Sequence, residues 1–560
     1  MSSYTNEALQ KNAQQRAKDF LENEKEYMLG FVEAEQANPL TKGLGEAAAS
    51  DPVKAVKMIF SVDRALADTF AAAVKTKDYL DFAARVEATL RAGGRLILSG
   101  CGATGRLCLN LEASWRRALC CLEKEMPEKA EQIRALADQV ITIMTGGDYA
   151  LIKSVECFED YAELGAQQAK LLGIGKGDLL IGVTATAETT SILGTALYAS
   201  EQGSDVQMVV CSNPASVGAR LERARRVFER ENVYSIYLPC GAMAVTGSTR
   251  MQSSTIEQLI IASVMQSAMA NILETPQMET DYAAAFTALT EHLLHEKTLT
   301  AVADYAALEA ELYKRGELVT YFADEYLLDV LSDTTERSPT FVVPPFLPEG
   351  IQGTVSWAFV KDPQRDTTAA WRACLQHELR CIGWKKEDYD GFGVQVDPIP
   401  QIDTKDLLRY RIGFEDCPAR EGRPGAAVWV GEETPCAAFE SHASRYAQRA
   451  SLTLSIPGFD FPKTPMRIFE HITMKLMLNT VSTVSMGVMG RLTSNFMTWL
   501  NMSNKKLIDR STRLIMQECE VDYETALREL LYSDECIRRE NAGDRRSPAQ
   551  ETIARLNGAK

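Results

Sequence analysis

An α/β architecture, built as two doubly wound parallel-sheet units in tandem, is the fold class that this 560-residue sequence predicts. Three observations carry the expectation. Short apolar runs bounded by glycine alternate with stretches of helical period, the signature of parallel strands covered on both faces. The alternation stops at a helical stretch over 280–314 and then restarts. Each pass closes on a long apolar helix pattern, TIEQLIIASVMQSAM in the first and FEHITMKLMLNTVSTVSMGVMGRL in the second. Their likeness points to two copies of one unit.

Taken in order, residues 1 to about 90 read as helices, through VKAVKMIFSVDRALADTFAAAV and YLDFAARVEATL. RLILSG is the first buried strand. ITIMTGG (141–147) is a strand leading to the helical SVECFEDYAELGAQQAKLLG, and DLLIGVTAT (178–186) leads to the helical TSILGTALYASEQG. DVQMVVCSNP (205–214) and NVYSIYLPC (232–240) complete the first set of strands. In the second pass ELVTYFA, PTFVVPP, GTVSWAFV and AAVWVGE are strand-like. Short charged helices follow from about 505, and the tail RRENAGDRRSPAQETIARLNGAK reads as loose polar chain. The division is an N-terminal helical segment (1–50), a first unit (51–285), a second unit (286–500) and a C-terminal helical lid with its tail (501–560).

The formal charge of −16 argues against nucleic acid as a partner. A small anion remains possible, but it calls for a locally positive pocket. The 13 cysteines show no CxxC spacing, which suits free thiols in a reducing cytoplasm. The polar N-terminus does not read as a signal peptide, and no apolar run is long enough to span a membrane. Five scattered histidines give no metal-ligand spacing, so neither metal nor cofactor is expected.

In doubly wound sheets, ligands sit at the carboxyl ends of strands and phosphates sit on helix N-termini. Two loops fit that position. GCGATGR (100–106) offers uncrowded backbone, the Thr104 hydroxyl and the charge of Arg106. TATAETTS (184–191) places several hydroxyls before a helix. Neither matches a nucleotide-binding glycine motif. Taken alone, each reads equally well as an ordinary turn. GSTRM (247–251), with Arg250, reads as a helix cap, Glu156 is a candidate acid or base, and Lys506 and Arg510 share one helix face as a basic arm.

Together GCGATGR, GGDYALIKSVECFED, GSTRM and LNTVSTVSMG…NMSNKKLIDR run in the order and spacing of one family. The chain resembles the sugar isomerase (SIS) domain proteins, in the branch holding N-acetylmuramic acid 6-phosphate etherase and glucokinase regulatory protein. The likeness is good over about 50–275, faint over 300–465 and clear again to about 535. It implies a sugar phosphate held by Gly102, Ala103, Thr104 and Thr184 and flanked by Thr186 and Glu188. Glu156 would meet the sugar hydroxyls. Asn504 and Lys506 would reach in from the lid, with Arg510 nearby. The family often carries two hydroxyl residues where this chain has Ala103-Thr104.

Etherases of the family use two glutamates. The resemblance places one at Glu156. The other belongs eight residues after the loop arginine, where this chain has Ser114, and Glu112 is rotated about 200° away. That departure favours binding over elimination. In the second unit Asp324 and Glu325 replace the glycines and would repel a phosphate, while Glu336 and Arg337 would line the cleft between units. The leading expectation is therefore a cytoplasmic sensor or regulator of a hexose or amino-sugar phosphate. The alternatives are a carbon–oxygen lyase (etherase) or isomerase acting on such a sugar, and an interaction module for a sugar kinase. Packing of the two units would replace a homodimer, leaving monomer and homodimer both open.

Overall fold

The computed structural model describes residues 6–420, 422–500, 502, 504–540 and 546–558; the side chains of Asn6, Glu156 and Gln277 lie outside the description. The first sheet contains β1 (Leu96–Gly100), β2 (Val140–Met144), β3 (Leu179–Val183), β4 (Asp205–Val210) and β5 (Val233–Tyr237). Its order is β2-β1-β3-β4-β5, and every pairing is parallel. All residues of β1 and β3 are buried, which is why both read as unbroken apolar runs. The chain leaves β1 toward β2 on one side and leaves β3 toward β4 on the other. The switch point, where such sheets take ligands, thus falls between β1 and β3.

The second sheet repeats this plan with one strand fewer. It contains β6 (Leu318–Phe322), β7 (Ala358–Lys361), β8 (Gly425–Gly431) and β9 (Gln448–Thr453), in the parallel order β7-β6-β8-β9. The fold is thus α/β with two parallel sheets. The helices Gln252–Ile272 and Ile468–Val488, nearly all buried, close the two passes and touch each other. Both carry buried polar side chains among their apolar ones, Glu257 and Gln258 in the first and His471 and Asn479 in the second. Among the described residues no helix is long and apolar enough to cross a membrane, and no cluster of His, Cys, Asp or Glu could hold a metal.

Four local expectations are corrected. PTFVVPP is no strand: Pro339 lies in the last turn of the helix Leu327–Phe341, anchored by buried Arg337 on Glu309 (2.6 Å) and Asp333 (2.9 Å). A short apolar run carries too little period to tell a buried helix end from a strand. β9 was missed because it is an edge strand whose residues mostly stay partly exposed. SVECFED is broken into a single 3₁₀ turn, Glu156–Phe158, before the helix Ala162–Leu171, because Phe158 turns inward and stacks on Trp384 at 6.0 Å. The tail holds a helix, Pro548–Gly558, whose Thr552 hydroxyl donates to Ser533 at 2.8 Å.

The two chain ends form one layer. The helix Asn6–Asn23 packs Ala13, Ala17 and Phe20 against Leu527 and Leu531 of the helix Tyr523–Arg539, with Arg16 paired to Asp534 at 3.0 Å.

Candidate functional site

The turn after β1 closes with almost no room for side chains. A Cβ on Gly100 would lie 2.4 Å from the Thr104 backbone, and one on Gly105 would lie 2.8 Å from the Gly100 carbonyl. Glycine at both positions lets the helix Ala103–Glu125 start directly on the strand end. Gly102 has φ 54°, a left-handed conformation. The Thr104 hydroxyl accepts from the Cys101 N–H (3.0 Å) and donates to the Cys101 carbonyl (2.9 Å), so it shapes the turn from within. Among the described residues the N–H groups of Gly102 and Ala103 find no acceptor, and they open the positive end of the helix dipole.

Beside it, the loop after β3 folds on its own hydroxyls. Thr184 and Thr189 share a hydrogen bond of 3.0 Å, and Thr186 donates to Glu188 at 2.9 Å. Glu188 is buried, pairs with Arg223 at 3.0 Å and lies 3.8 Å from Lys506.

The two loops share a cavity of about 120 Å³. Gly102, Ala103, Thr104, Thr184, Thr186, Asn504, Lys506 and Arg510 all line it. Glu188 lies behind Thr186 and Lys506 rather than on the lining. Glu156 has its backbone in the 3₁₀ turn, and its side chain lies outside the described residues. Glu159, three residues later, does line the cavity, and the sequence reading missed it. Its carboxylate takes hydrogen bonds from Lys506 at 2.7 Å and Asn504 at 3.4 Å.

The C-terminal segment that lines the cavity is held by long-range ion pairs. Asn504 caps the helix Lys505–Cys519, accepting from the Leu507 N–H at 3.0 Å. Burial by itself lowers the Lys506 ammonium, but Glu159 and Glu188 outweigh it and hold the group above its usual range. Arg510 packs so tightly on Gly247 that a Cβ there would sit 2.2 Å from its Nε. Its charge is spent on Glu35, at 2.5 Å, and Arg513 reaches the same carboxylate at 2.6 Å. Burial opposes ionisation of Glu35, yet the two guanidinium groups pull it down to about 2.

GSTRM does not cap its helix with a side chain. Arg250 instead crosses to the second unit, binding Asp333 at 2.9 Å and Ser482 at 3.0 Å. The cations lining the cavity (Arg250, Lys506, Arg510) thus each have a carboxylate partner. The locally positive pocket expected for an anion is therefore corrected: an anion here would rest on backbone N–H groups and hydroxyls.

The second unit also enters the cavity. Glu336 lines it, contacting Arg106, whose guanidinium is further held by the Ala150 carbonyl at 2.9 Å and Ser154 at 3.1 Å. From Leu96 to Ser114 and from Leu318 to Glu336 the spacing is the same, eighteen residues from the start of the central strand. The two side chains occupy one position of the repeated unit, and each faces the other unit's turn. Ser114 lies in a separate cavity of about 420 Å³ beside Asp324 and Glu325. Glu112 is turned away as the sequence indicated, fully buried against Arg116 (2.9 Å) and Arg380. Arg337 does not reach the cleft lining; it stays on Glu309 and Asp333.

A parallel sheet with glycine and hydroxyl turns at its switch point places the first unit in the class of doubly wound α/β folds. Residues 81–200 match the family model described as the glucokinase regulatory protein N-terminal SIS domain. The chain is also similar to N-acetylmuramic acid 6-phosphate etherase of Exiguobacterium sp. (strain ATCC BAA-1283 / AT1b), 30% identical over 188 residues, covering 34% of this chain and 55% of that protein. The etherase of Lactococcus lactis subsp. lactis (strain IL1403) is 33% identical over 180 residues, covering 32% of this chain and 52% of that protein. The chain thus spans about half the length of the curated relatives it matches. Among solved structures, tagatose-6-phosphate ketose/aldose isomerase from Escherichia coli superposes with a TM-score of 0.40 at 12% identity, covering 78% of this chain and 93% of that one.

Proposed function

We propose that the cavity between the two units binds the phosphate of an amino-sugar phosphate and that the protein is a carbon–oxygen lyase of the etherase type. The observation that carries this reading is the pair of carboxylates facing the cradle, Glu159 from the first unit and Glu336 from the second. Ser114 had argued against elimination. Its helix position faces the other unit, and the equivalent position of that unit brings Glu336 to the first cavity, which supports a second carboxylate there. In a β-elimination one carboxylate takes the proton beside the ring-opened carbonyl. The other protonates the departing ether oxygen as the C–O bond breaks and the C=C bond forms. The etherase relatives support N-acetylmuramic acid 6-phosphate as the substrate to try first.

The test is lactate release from that sugar. Turnover is expected, with Glu159→Gln and Glu336→Gln each lowering it at least a hundredfold, within the usual range for general acid–base groups. Thr104→Asp is expected to abolish binding, because it puts a charge in the cradle.

The sensor reading keeps one observation of its own, the family model matched by residues 81–200. Thermal stabilisation by fructose or glucosamine phosphates, with no lactate released by concentrated protein, would replace the lyase with a regulator.

A further inference from the structure

A second cavity, of about 410 Å³, opens on the face of the second sheet formed by Leu318, Thr320 and Phe322 of β6. Its walls carry Lys361 at the end of β7, Arg420 and Arg423 in the loop before β8, and Arg445, against one described carboxylate, Asp416. Arg445 takes Asp416 at 2.8 Å. Among the described residues Lys361, Arg420 and Arg423 have no carboxylate partner. Glu415 and Asp416 act on Lys361 only through space and Arg423 is exposed, so among the described residues the cations on this wall outnumber the carboxylates that touch them.

The cations are built in. Lys361 is only 6% exposed, and its ammonium donates to the Glu415 carbonyl. Arg420 donates to the carbonyls of Ser356 (2.6 Å) and Val319 (2.8 Å), lies over the Phe359 ring, and leaves its Nε buried without an acceptor. Burial holds the Lys361 ammonium below its usual range and pulls Arg420 down to about 10, outweighing every negative group nearby. Arg337 and Arg513, which touch carboxylates, are raised, whereas burial lowers Arg250 and Arg491 as it lowers Arg420. A buried cation without an anion is costly to maintain.

We propose that this cavity binds a phosphorylated small metabolite, with its phosphate on Lys361, Arg420 and Arg423. The room beyond the cations, walled by Phe414, His442 and Tyr446, takes the rest of the molecule. This assignment does not depend on the chemistry of the first cavity.

The test is equilibrium dialysis of the full chain carrying Thr104→Asp, so that the first cavity is closed, against ribose 5-phosphate and inorganic phosphate. One equivalent of ribose 5-phosphate per chain is expected. Arg423→Glu, at an exposed position, and Lys361→Met should each weaken binding at least tenfold, with an unchanged melting temperature for the Arg423 variant confirming its fold. No binding up to about 10 mM, or binding that neither variant weakens, would overturn the site. Ribose 5-phosphate binding no tighter than inorganic phosphate would overturn the metabolite.

Discussion

The two central turns, GCGATGR after β1 and ADEYLL after β6, occupy the same place in two sheets of the same strand order, yet they carry opposite chemistry. The first keeps glycines and offers N–H groups. The second puts Asp324 and Glu325 at its helix start, where the Asp324 carboxylate accepts from the Glu325 N–H at 2.5 Å and Glu325 pairs with Arg467 at 2.6 Å. The helices that follow differ in the complementary sense. The unit with the acidic turn sends Glu336 to its neighbour, and the unit with the glycine turn sends only Ser114. The two copies of the repeated unit thus contribute differently to one cavity: the first lines it with a glycine turn, the second with a carboxylate.

Gly102→Asp is the sharpest way to break the contrast, since Gly102 and Asp324 lie at the same distance from Leu96 and Leu318. It adds a charge and forces a side chain onto φ 54°. Titration calorimetry with a sugar phosphate should show binding lost by at least a thousandfold, ~4 kcal/mol.

Next in size is Glu35→Gln, which tests how the helix Lys505–Cys519 is held beside the first cavity. It leaves Arg510 and Arg513 short of an anion and should cost ~3–5 kcal/mol in a denaturant melt. Because Glu35 is held at about 2, below its ordinary value, its contribution is full above pH ~4.5 and disappears as pH falls toward 2. The variant should therefore differ from the parent at pH 7 and converge on it in strong acid.

Ser114→Glu sharpens the division of labour. In a Glu336→Gln background it should restore none of the hundredfold (about 2.7 kcal/mol) loss, because its carboxylate enters the wrong cavity. Recovery of lactate release would show that the helix register has been misread.

The smallest effect belongs to Asp160, which burial first, and then the neighbouring charge of Glu159, raise to about 6. Ionising it costs the folded state, a cost absent below its ordinary value and full above pH ~6. Asp160→Asn should raise the melting temperature at pH 7.5, by on the order of 2 kcal/mol of stability, and leave it unchanged at pH 3.5.

What could be read from the sequence was local. β1, its glycine turn and the helix start are contiguous, as are DLLIGVTAT and its hydroxyls, so both loops could be placed before any tertiary contact was known. The reading failed where distant segments decide. Nothing near Arg510 shows that its charge belongs to Glu35, which lies 475 residues away. Ser114 looks like a lost acid when one unit is read alone, whereas the residue at the equivalent position of the other unit, Glu336, lines the first cavity. Glu159 carries no signal in the sequence, because the turn Glu156–Phe158 that positions it forms only when Phe158 stacks on the distant Trp384.

The clasp of Glu35 on Arg510 and Arg513 ties residues near the beginning of the chain to a helix near its end, directly beside the cavity. On the proposed function, entry and exit of the sugar phosphate would be coupled to the breathing of these two segments, and its residence time would depend on the clasp as much as on the cradle. A saturating ligand should slow amide exchange over 24–35, a stretch with no residue on the cavity wall.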